Sequence, residues 1–321
     1  MPIIKTALTE LLGIEHPILL APMGSAAGGR LAAAVTRAGG LGLVGSGYAN
    51  SDTIRKELAA AGNTKVGVGF ITWALDDNPA ALDVALAAGP PAVMLSFGSP
   101  APYAHAIRSA GCKLICQVQT LRGARDAAEA GADVIIAQGR DAGGHSSTVR
   151  GTIGLVPAVV DAVAPIPVVA AGGIADGRGL AAALMLGASG VLMGTRFTTS
   201  QESLWDAALK QGSLNASGDD TEQTRVFDIV RGSKWPAHYP GRVVKNAFFA
   251  KWHGKEEELQ SVWREEEKHY TAAPATDLAT RVVWAGEGVD LVKDVLPADE
   301  IIERVMQEAV AALRSGARLA G

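Results

Sequence analysis

The sequence predicts an α/β fold, a (β/α)8 TIM barrel with a small inserted helical subdomain. Eight short apolar runs recur along the first two thirds of the 321 residues, with starts about 20 to 26 residues apart and one longer step of about 34. The runs are almost continuously apolar, as expected of parallel strands buried on both faces. Alanine-rich helical stretches separate them, and eight such alternating units predict a barrel. The eight runs are 17–21, 41–44, 66–71, 92–96, 114–118, 134–137, 168–171 and 191–193.

The stretches between the runs have helix signals at their ends. Helices are predicted over 30–37, 79–88, 121–130 and 178–186. Asp176 is placed to cap the last of these. Glycines follow helical stretches at positions typical of helix C-caps, namely Gly62, Gly89, Gly111, Gly131 and Gly187. An open doubly wound sheet is the alternative, but the GxGxxG opening typical of that fold is absent after the first run.

Composition excludes several classes of function. The net charge is −4 and there is no basic stripe, so nucleic acid is not an expected partner. Residues 1–6 lack the features of a signal peptide, and no apolar run approaches the length of a membrane span. We therefore expect a soluble, cytoplasmic protein. Cys112 and Cys116 are expected to be small buried hydrophobes, and no metal site is predicted because no Cys/His cluster accompanies them.

The last third of the chain differs in character from the first two. Residues 221–275 contain three tryptophans, three histidines and the charged runs 255–258 and 264–268, and an amphipathic helix is predicted over 299–314. We predict a barrel over 1–220, an inserted helical subdomain on the substrate side over 221–275, and helices returning to the barrel over 276–321. The charged runs are interpreted as solvated helix faces, and Trp235, Trp252 and Trp263 as packing anchors.

The most informative motif is the pentapeptide Asp141-Ala142-Gly143-Gly144-His145, shortly after the sixth run. The active site of a (β/α)8 barrel lies at the carboxyl ends of its strands, which is where this motif falls. Two glycines let a flat ligand approach the backbone. The imidazole of His145 is well suited to move a proton near neutral pH. We therefore predict that His145 is catalytic.

Two further motifs indicate a phosphate site. Ala171-Gly172-Gly173 follows the seventh run, and Gly194-Thr195 follows the eighth. Loops at these two positions of a barrel often bind phosphate through backbone N–H groups. A phosphate at one end and Gly-Gly-His at the other indicate a flat phosphorylated cofactor, for which FMN is the natural candidate. Pro22 and Met23 would pack near its ring, and Gln117 and Gln138 would hydrogen-bond its polar edge or ribityl chain.

These residues resemble those of the nitronate monooxygenases, formerly called 2-nitropropane dioxygenases, which are FMN-dependent (β/α)8 barrels with a small inserted domain. The resemblance covers nearly the whole chain. It rests on Ala21-Pro22-Met23, on 138–145, on 171–178 and on 193–197. Two departures stand out. Gln117 and Gly69 occupy positions where better-characterised members have Lys and Asn, and Ser146-Ser147 replace the Arg-Gly that follows the histidine in many members.

The resemblance implies FMN-dependent oxidation of an alkyl nitronate, or of a nitroalkane, by dioxygen to a carbonyl compound and nitrite. His145 would remove the α-proton of a nitroalkane or hold the nitronate anion. The implied partners are this small substrate and dioxygen, and the protein would be a monomer or homodimer. The candidate cofactor contacts are Ala21, Pro22, Met23, Gly69, Gln117, Gln138, Gly143, Gly144, Ala171, Gly172, Gly173, Gly194 and Thr195.

Two other functions remain open at this point. Flavin-dependent enoyl-acyl-carrier-protein reductases carry a similar Ala-Gly-Gly-His turn on this barrel and would need NAD(P)H and a long apolar groove. A non-catalytic FMN-binding protein is the third possibility. Bleaching of the flavin by NADH without oxygen would indicate the reductase, and binding of FMN without any turnover would indicate the binding protein.

Overall fold

The structure is a computed structural model that describes residues 3–319. Eight of its strands form one parallel sheet in the order β1-β9-β8-β6-β5-β4-β3-β2. A parallel bridge between Leu19 and Leu41 joins the first strand to the chain just before the second, so the sheet closes on itself. The predicted barrel is confirmed. The strands are β1 (Ile18–Leu20), β2 (Leu43–Gly45), β3 (Gly67–Ile71), β4 (Ala92–Ser96), β5 (Lys113–Val118), β6 (Val134–Gln138), β7 (Gly144–His145), β8 (Val168–Ala171), β9 (Gly190–Met193), β10 (Thr221–Thr224) and β11 (Gly241–Val244).

Both faces of the barrel strands are buried, which explains why the apolar runs do not alternate. Leu19, Ile115 and Ile136 belong to a cluster that fills the barrel interior, and Cys116 and Ile135 face a larger cluster between the strands and the helices. Successive residues of a strand point to opposite faces, so every position in these strands removes apolar surface from water. Cys112 and Cys116 are both buried, as predicted, and burial raises the pKa of the Cys116 thiol to about 12.

The predicted helices are present, with small differences at their ends. Asp176 caps its helix by accepting a hydrogen bond from the Gly179 N–H at 3.1 Å. All five predicted C-cap glycines have positive φ. The helices are α1 (Ala7–Leu12), α2 (Gly29–Arg37), α3 (Ser51–Ala60), α4 (Thr72–Asp77), α5 (Ala80–Ala87), α6 (Ala101–Ser109), α7 (Leu121–Glu129), α8 (Thr152–Val163), α9 (Gly177–Met185), α10 (Thr195–Thr198), α11 (Ala207–Leu214), α12 (Val226–Val230), α13 (Ala247–Trp252), α14 (Glu256–Ala272) and α15 (Ala298–Ala317), with short 3-10 turns at Gly218–Asp220 and Glu287–Leu291.

The last helix completes the outer layer of the barrel. The N-terminal part of α15 is amphipathic and buries Ile302 and Met306 against α9 and α2. An ionic contact helps to fix it: Asp294 lies 2.6 Å from Arg196, just after β9, and 2.6 Å from Arg304 on α15. Partial burial raises the pKa of Asp294, but the hydrogen bonds and charges of Arg304 and Arg196 outweigh that effect. The pKa therefore lies below its ordinary value of 3.8.

The segment 221–275, predicted to be helical, contains three helices and also two strands that the sequence analysis missed. β10 and β11 are antiparallel, and β11 also pairs with β7, which carries His145. The segment has its own apolar cluster around Phe227, Phe248 and Tyr270. It is therefore not wholly helical, and its sheet extends to the barrel. The boundaries of the three predicted regions stay a prediction.

The charged runs of this segment are largely exposed, as interpreted, with one exception. Glu266 is buried, and its carboxylate accepts hydrogen bonds from Lys251 at 3.0 Å and from the Trp252 indole at 3.1 Å. Within residues 3–319, no helix is both long and apolar enough to cross a membrane.

Candidate functional site

A cavity of about 440 Å³ opens at the carboxyl ends of the barrel strands. All fourteen residues proposed from the sequence line it: the thirteen candidate cofactor contacts and His145. They come from the ends of β1, β3, β5, β6, β8 and β9 and from β7. The prediction that these dispersed residues meet in one place follows from the parallel barrel, because all the strands point the same way.

One side of the cavity is built from backbone, and we call Gly172, Gly173, Gly194 and Thr195 the glycine wall. Gly172 and Gly173 have φ of +106° and +69°, which favours glycine. Within residues 3–319, the N–H groups of Gly173, Gly194 and Thr195 have no hydrogen-bond acceptor. Several free N–H groups beside one another suit an anion.

A segment that the sequence analysis missed lies against this wall. The Gly286 N–H donates to the Thr195 hydroxyl oxygen at 3.0 Å. A Cβ at Gly143 would lie 2.5 Å from the Gly286 nitrogen, and a Cβ at Gly288 would lie 2.6 Å from the Gly173 oxygen. The two closely spaced glycines in 286–288 were the available signal, and they let this segment cross the glycine wall in direct backbone contact.

The exits of β1 and β3 pack tightly on each other. The Ala21 N–H donates to the Met193 oxygen at 2.9 Å, and the Met23 oxygen accepts from the Ala27 N–H at 2.7 Å. A Cβ at Gly69 would lie only 2.3 Å from the Pro22 ring. Gly69 is therefore needed here to let Pro22 approach β3, and a larger residue would require the β1 exit to move.

Three glutamines form a hydrogen-bonded group, and two of them, Gln117 and Gln138, line the cavity. The Gln138 side-chain oxygen accepts from Gln117 at 3.1 Å and from Gln119 at 2.8 Å, and the Gln138 amide nitrogen donates to the His145 backbone oxygen at 3.1 Å. Both polar atoms of the Gln138 side chain are thus hydrogen-bonded within the protein. The side-chain oxygen of Gln117, in contrast, has no partner among the described residues. Gln119 was not singled out from the sequence.

His145 is held by an acidic partner that the sequence analysis also missed. Its Nε2 lies 3.0 Å from both carboxylate oxygens of Asp228 on α12. Its ring stacks on Trp235 with centroids 3.5 Å apart and planes 6° apart. Nδ1 makes no hydrogen bond to any of residues 3–319. Nothing in the local sequence could pair residues 83 positions apart, because the contact depends on the docking of the inserted segment.

Asp141 and Ser146, on either side of Gly-Gly-His, fix this loop to neighbouring elements. The Asp141 carboxylate accepts from the Thr152 N–H at 2.7 Å, so it caps α8. Ser146 is fully buried, and its hydroxyl accepts from the Gln223 amide of β10 at 2.9 Å. The residues flanking Gly-Gly-His therefore anchor the loop to α8 and to the inserted segment.

The other side of the cavity is built from side chains, and we call Tyr48, Phe97, Trp235 and Trp284 the aromatic wall. The Trp235 indole packs edge-on against Phe97 at 4.9 Å, and its N–H donates to the Tyr48 hydroxyl at 3.2 Å. Trp284 lies 5.2 Å from the His145 ring. Trp252 is buried and Trp263 packs on the apolar cluster of the segment, as interpreted from the sequence. For Trp235 that interpretation was incomplete, because it also lines the cavity.

Comparisons with known proteins show similarity over almost the whole chain. The family model for nitronate monooxygenase matches residues 5–70 and 63–308. A nitronate monooxygenase of Neurospora crassa is 34% identical, over 95% of this chain and 93% of that protein.

Two solved structures are also similar over almost their full lengths. FabK of Thermotoga maritima has a TM-score of 0.84 at 36% identity, covering 97% of this chain and 98% of that one. A nitroalkane oxidase of Streptomyces ansochromogenes has a TM-score of 0.77 at 29% identity, covering 97% of this chain and 99% of that one.

Proposed function

Because the chain belongs to the nitronate monooxygenase family and is an oxidoreductase, we propose that it uses FMN and dioxygen to oxidise alkyl nitronates to a carbonyl compound and nitrite. Nitroalkanes would be substrates after loss of their α-proton. The observation that carries this proposal is the placement of His145, with an unpartnered Nδ1, in the same cavity as the glycine wall. Membership in an enzyme family leaves the non-catalytic alternative without support.

The cavity fits a flavin phosphate. The unpartnered N–H groups of Gly173, Gly194 and Thr195 are suited to the phosphate, and no lysine or arginine is needed where backbone dipoles converge. Gly144 has φ of +69°, and a Cβ at this position would have no heavy atom within 4 Å. A flat ligand would therefore have open space to approach the backbone here. Pro22, Met23 and Gln117 would contact the rest of the cofactor. When bound, FMN would supply the redox chemistry of its ring.

The residues of the chain would then bind, orient and deprotonate the substrate. His145 would take the α-proton of a nitroalkane or hold a nitronate that arrives already deprotonated. Trp235 stacks on one face of the imidazole and the Trp284 ring lies 5.2 Å from it, so the substrate would approach the ring edge, where the Nδ1 lone pair lies. Because aromatic side chains line the part of the cavity around His145, a compact apolar substrate with an anionic end would suit it.

The proposal is tested with the purified protein. We expect a flavin absorbance spectrum, release of FMN on denaturation, and oxygen uptake with nitrite formation on addition of propionate-3-nitronate. A colourless protein that does not bind added FMN would contradict the cofactor. A flavoprotein that gives no nitrite with several nitronates would contradict the substrate.

A reductase of the enoyl-acyl-carrier-protein type is the second candidate. The similarity to FabK over 97% of the chain and the four aromatic side chains of the aromatic wall favour it. Anaerobic mixing with NADH separates the two candidates. Rapid bleaching of the flavin would support the reductase, and unchanged absorbance would support the nitronate oxidase. Location in the cytoplasm and the monomeric or homodimeric state stay predictions.

A further inference from the structure

The contact between His145 and Asp228 joins the barrel to the inserted segment at the reactive end of the cavity. The two side chains are only 10% and 6% exposed. Asp228 accepts through either of its oxygens, each 3.0 Å from Nε2. A charge-assisted hydrogen bond in a shielded setting is stronger than the same bond in water.

These contacts select one form of the neutral imidazole. An ionised carboxylate can only accept hydrogen bonds, so the proton between the two groups belongs to Nε2. The lone pair of the ring then lies on Nδ1, which has no hydrogen-bond partner among residues 3–319. The Trp235 indole, stacked 3.5 Å away, and Trp284 fix the plane of the ring. The tautomer and the orientation of His145 are thus both determined by the inserted segment and the chain that follows it.

We propose that Asp228 is a positioning residue that keeps the proton of His145 on Nε2, so that Nδ1 receives the α-proton of the substrate. This inference rests on the proposed function of His145 as the base. In that step the C–H bond breaks, the proton goes to Nδ1, and the electron pair moves onto the nitro group to form the nitronate. The positive charge that develops on the imidazole lies beside the Asp228 carboxylate, which stabilises it.

A second cavity borders Asp228 and has a volume of about 200 Å³. Both polar and apolar side chains line it, namely Arg225, Asp228, Ile229, Ser233, Trp235, Gln260 and Trp263. Two further charged groups belong to the surroundings of His145. Arg231 lines the main cavity, and Arg242, which is opposite Gly144 in the sheet, forms an ion pair with Glu287 at 2.8 Å.

A purely structural role for Asp228 is the alternative to test against, because the contact also ties the inserted segment to the barrel. The chain offers a matched control for that role. Lys234 and Asp77 form an exposed ion pair, 2.9 Å long, between the same segment and α4 of the barrel. Asp77→Asn removes this ion pair between the same two regions and leaves the contacts of His145 unchanged.

The direct test is the tautomer of His145 in the FMN-loaded wild-type protein. Long-range ¹H–¹⁵N spectra of protein labelled on histidine distinguish the two ring nitrogens, and the spectrum of His145→Gln assigns the signal. We expect a protonated Nε2 and an unprotonated Nδ1 at a pH where the ring is neutral. A ring protonated on Nδ1 would overturn the proposal. This readout does not depend on activity, so it tests the tautomer that the proposal requires even if no nitronate is oxidised.

Kinetics provide the second test, because only the nitroalkane needs a base. We expect Asp228→Asn to lower kcat/KM for a nitroalkane by about 100-fold or more, and kcat/KM for the preformed nitronate by less than about tenfold. Asp228→Glu should recover part of the loss, and Asp77→Asn should change neither value. Equal losses on the two substrates, or the same loss in Asp77→Asn, would show a structural role and overturn the proposal.

Discussion

The two sides of the cavity are built on different principles. The glycine wall comes from the exits of β8 and β9, which are neighbouring strands of one sheet, and it presents backbone N–H groups. The aromatic wall comes from separate parts of the chain, two in barrel loops and two in or after the inserted segment, and it presents side chains. One wall is a direct product of the barrel, and the other is complete only after the inserted segment has docked.

We infer different roles for the two walls, namely cofactor binding for the glycine wall and support of the reaction for the aromatic wall. Backbone donors on a rigid sheet suit a ligand that stays in place, such as a cofactor phosphate. Side chains from a docked segment hold the group that would react, since His145 contacts Asp228 and Trp235 of that segment. We therefore expect substitutions in the glycine wall to change cofactor affinity and substitutions near the aromatic wall to change turnover.

The largest effect is expected at His145. His145→Gln removes the proposed base but leaves the glycine wall intact, so kcat/KM for a nitroalkane should fall by about 10² to 10⁴-fold while the proposed FMN stays bound. Nitrite assays and the flavin spectrum measure the two properties on one sample. His269→Gln, at an exposed position on α14, is the control. Full turnover in His145→Gln would remove the catalytic role of this residue.

A change in the glycine wall should have the opposite pattern. Gly173→Ala places a Cβ where φ is +69° and 3.3 Å from the Asp141 Cβ, so we expect FMN to bind about 10 to 100-fold more weakly. Fluorescence titration with FMN measures this change, and turnover at saturating FMN should be recovered.

The control for that strain is Gly111→Ala. Gly111 has φ of +77° with open space around a Cβ and does not line the cavity. It should lose stability by about 1 kcal/mol, as expected for a left-handed residue, without a change in FMN affinity. If the two variants weaken FMN binding equally, the effect comes from general destabilisation and the assignment of the glycine wall is wrong.

Removal of the stacked indole should have a moderate effect. Trp235→Leu takes away one neighbour of the His145 ring, and we expect kcat/KM to fall by about 3 to 10-fold. Trp252→Leu, in the same segment but away from both cavities, is the matched control. Steady-state kinetics on both variants should show the loss only in the first.

The smallest effect is expected for Asp294, which forms ion pairs with Arg196 and Arg304. Because the pKa of Asp294 is lowered in the folded protein, its contribution to stability is present above about pH 3.8 and is lost as the pH falls through the lower folded value. Asp294→Asn should melt roughly a few degrees below wild type at pH 7. The difference should narrow in acid, and a constant difference down to pH 2 would contradict this account.

The barrel and the glycine wall could be predicted because each of their parts is recognisable from a short stretch of sequence. Each strand is a short apolar run, and the glycines at its end have a distinct backbone role, so position along the chain was enough. Asp228 and Trp235 could not be placed in the same way. Their contacts with His145 depend on how β11 pairs with β7, and a two-residue strand leaves no periodic pattern in the sequence. The 286–288 segment did carry a signal in its two closely spaced glycines, but that spacing alone does not say which part of the barrel a loop contacts.

The measurement that tests the central claim most directly is the stoichiometry of the reaction of the FMN-loaded protein with propionate-3-nitronate. Oxygen uptake and nitrite release, followed together, should both require FMN, and nitrite should accumulate with the carbonyl product in a one-to-one ratio. Reduction of the flavin by NADH with no nitrite from any nitronate would contradict the account and would assign the cavity to a reductase.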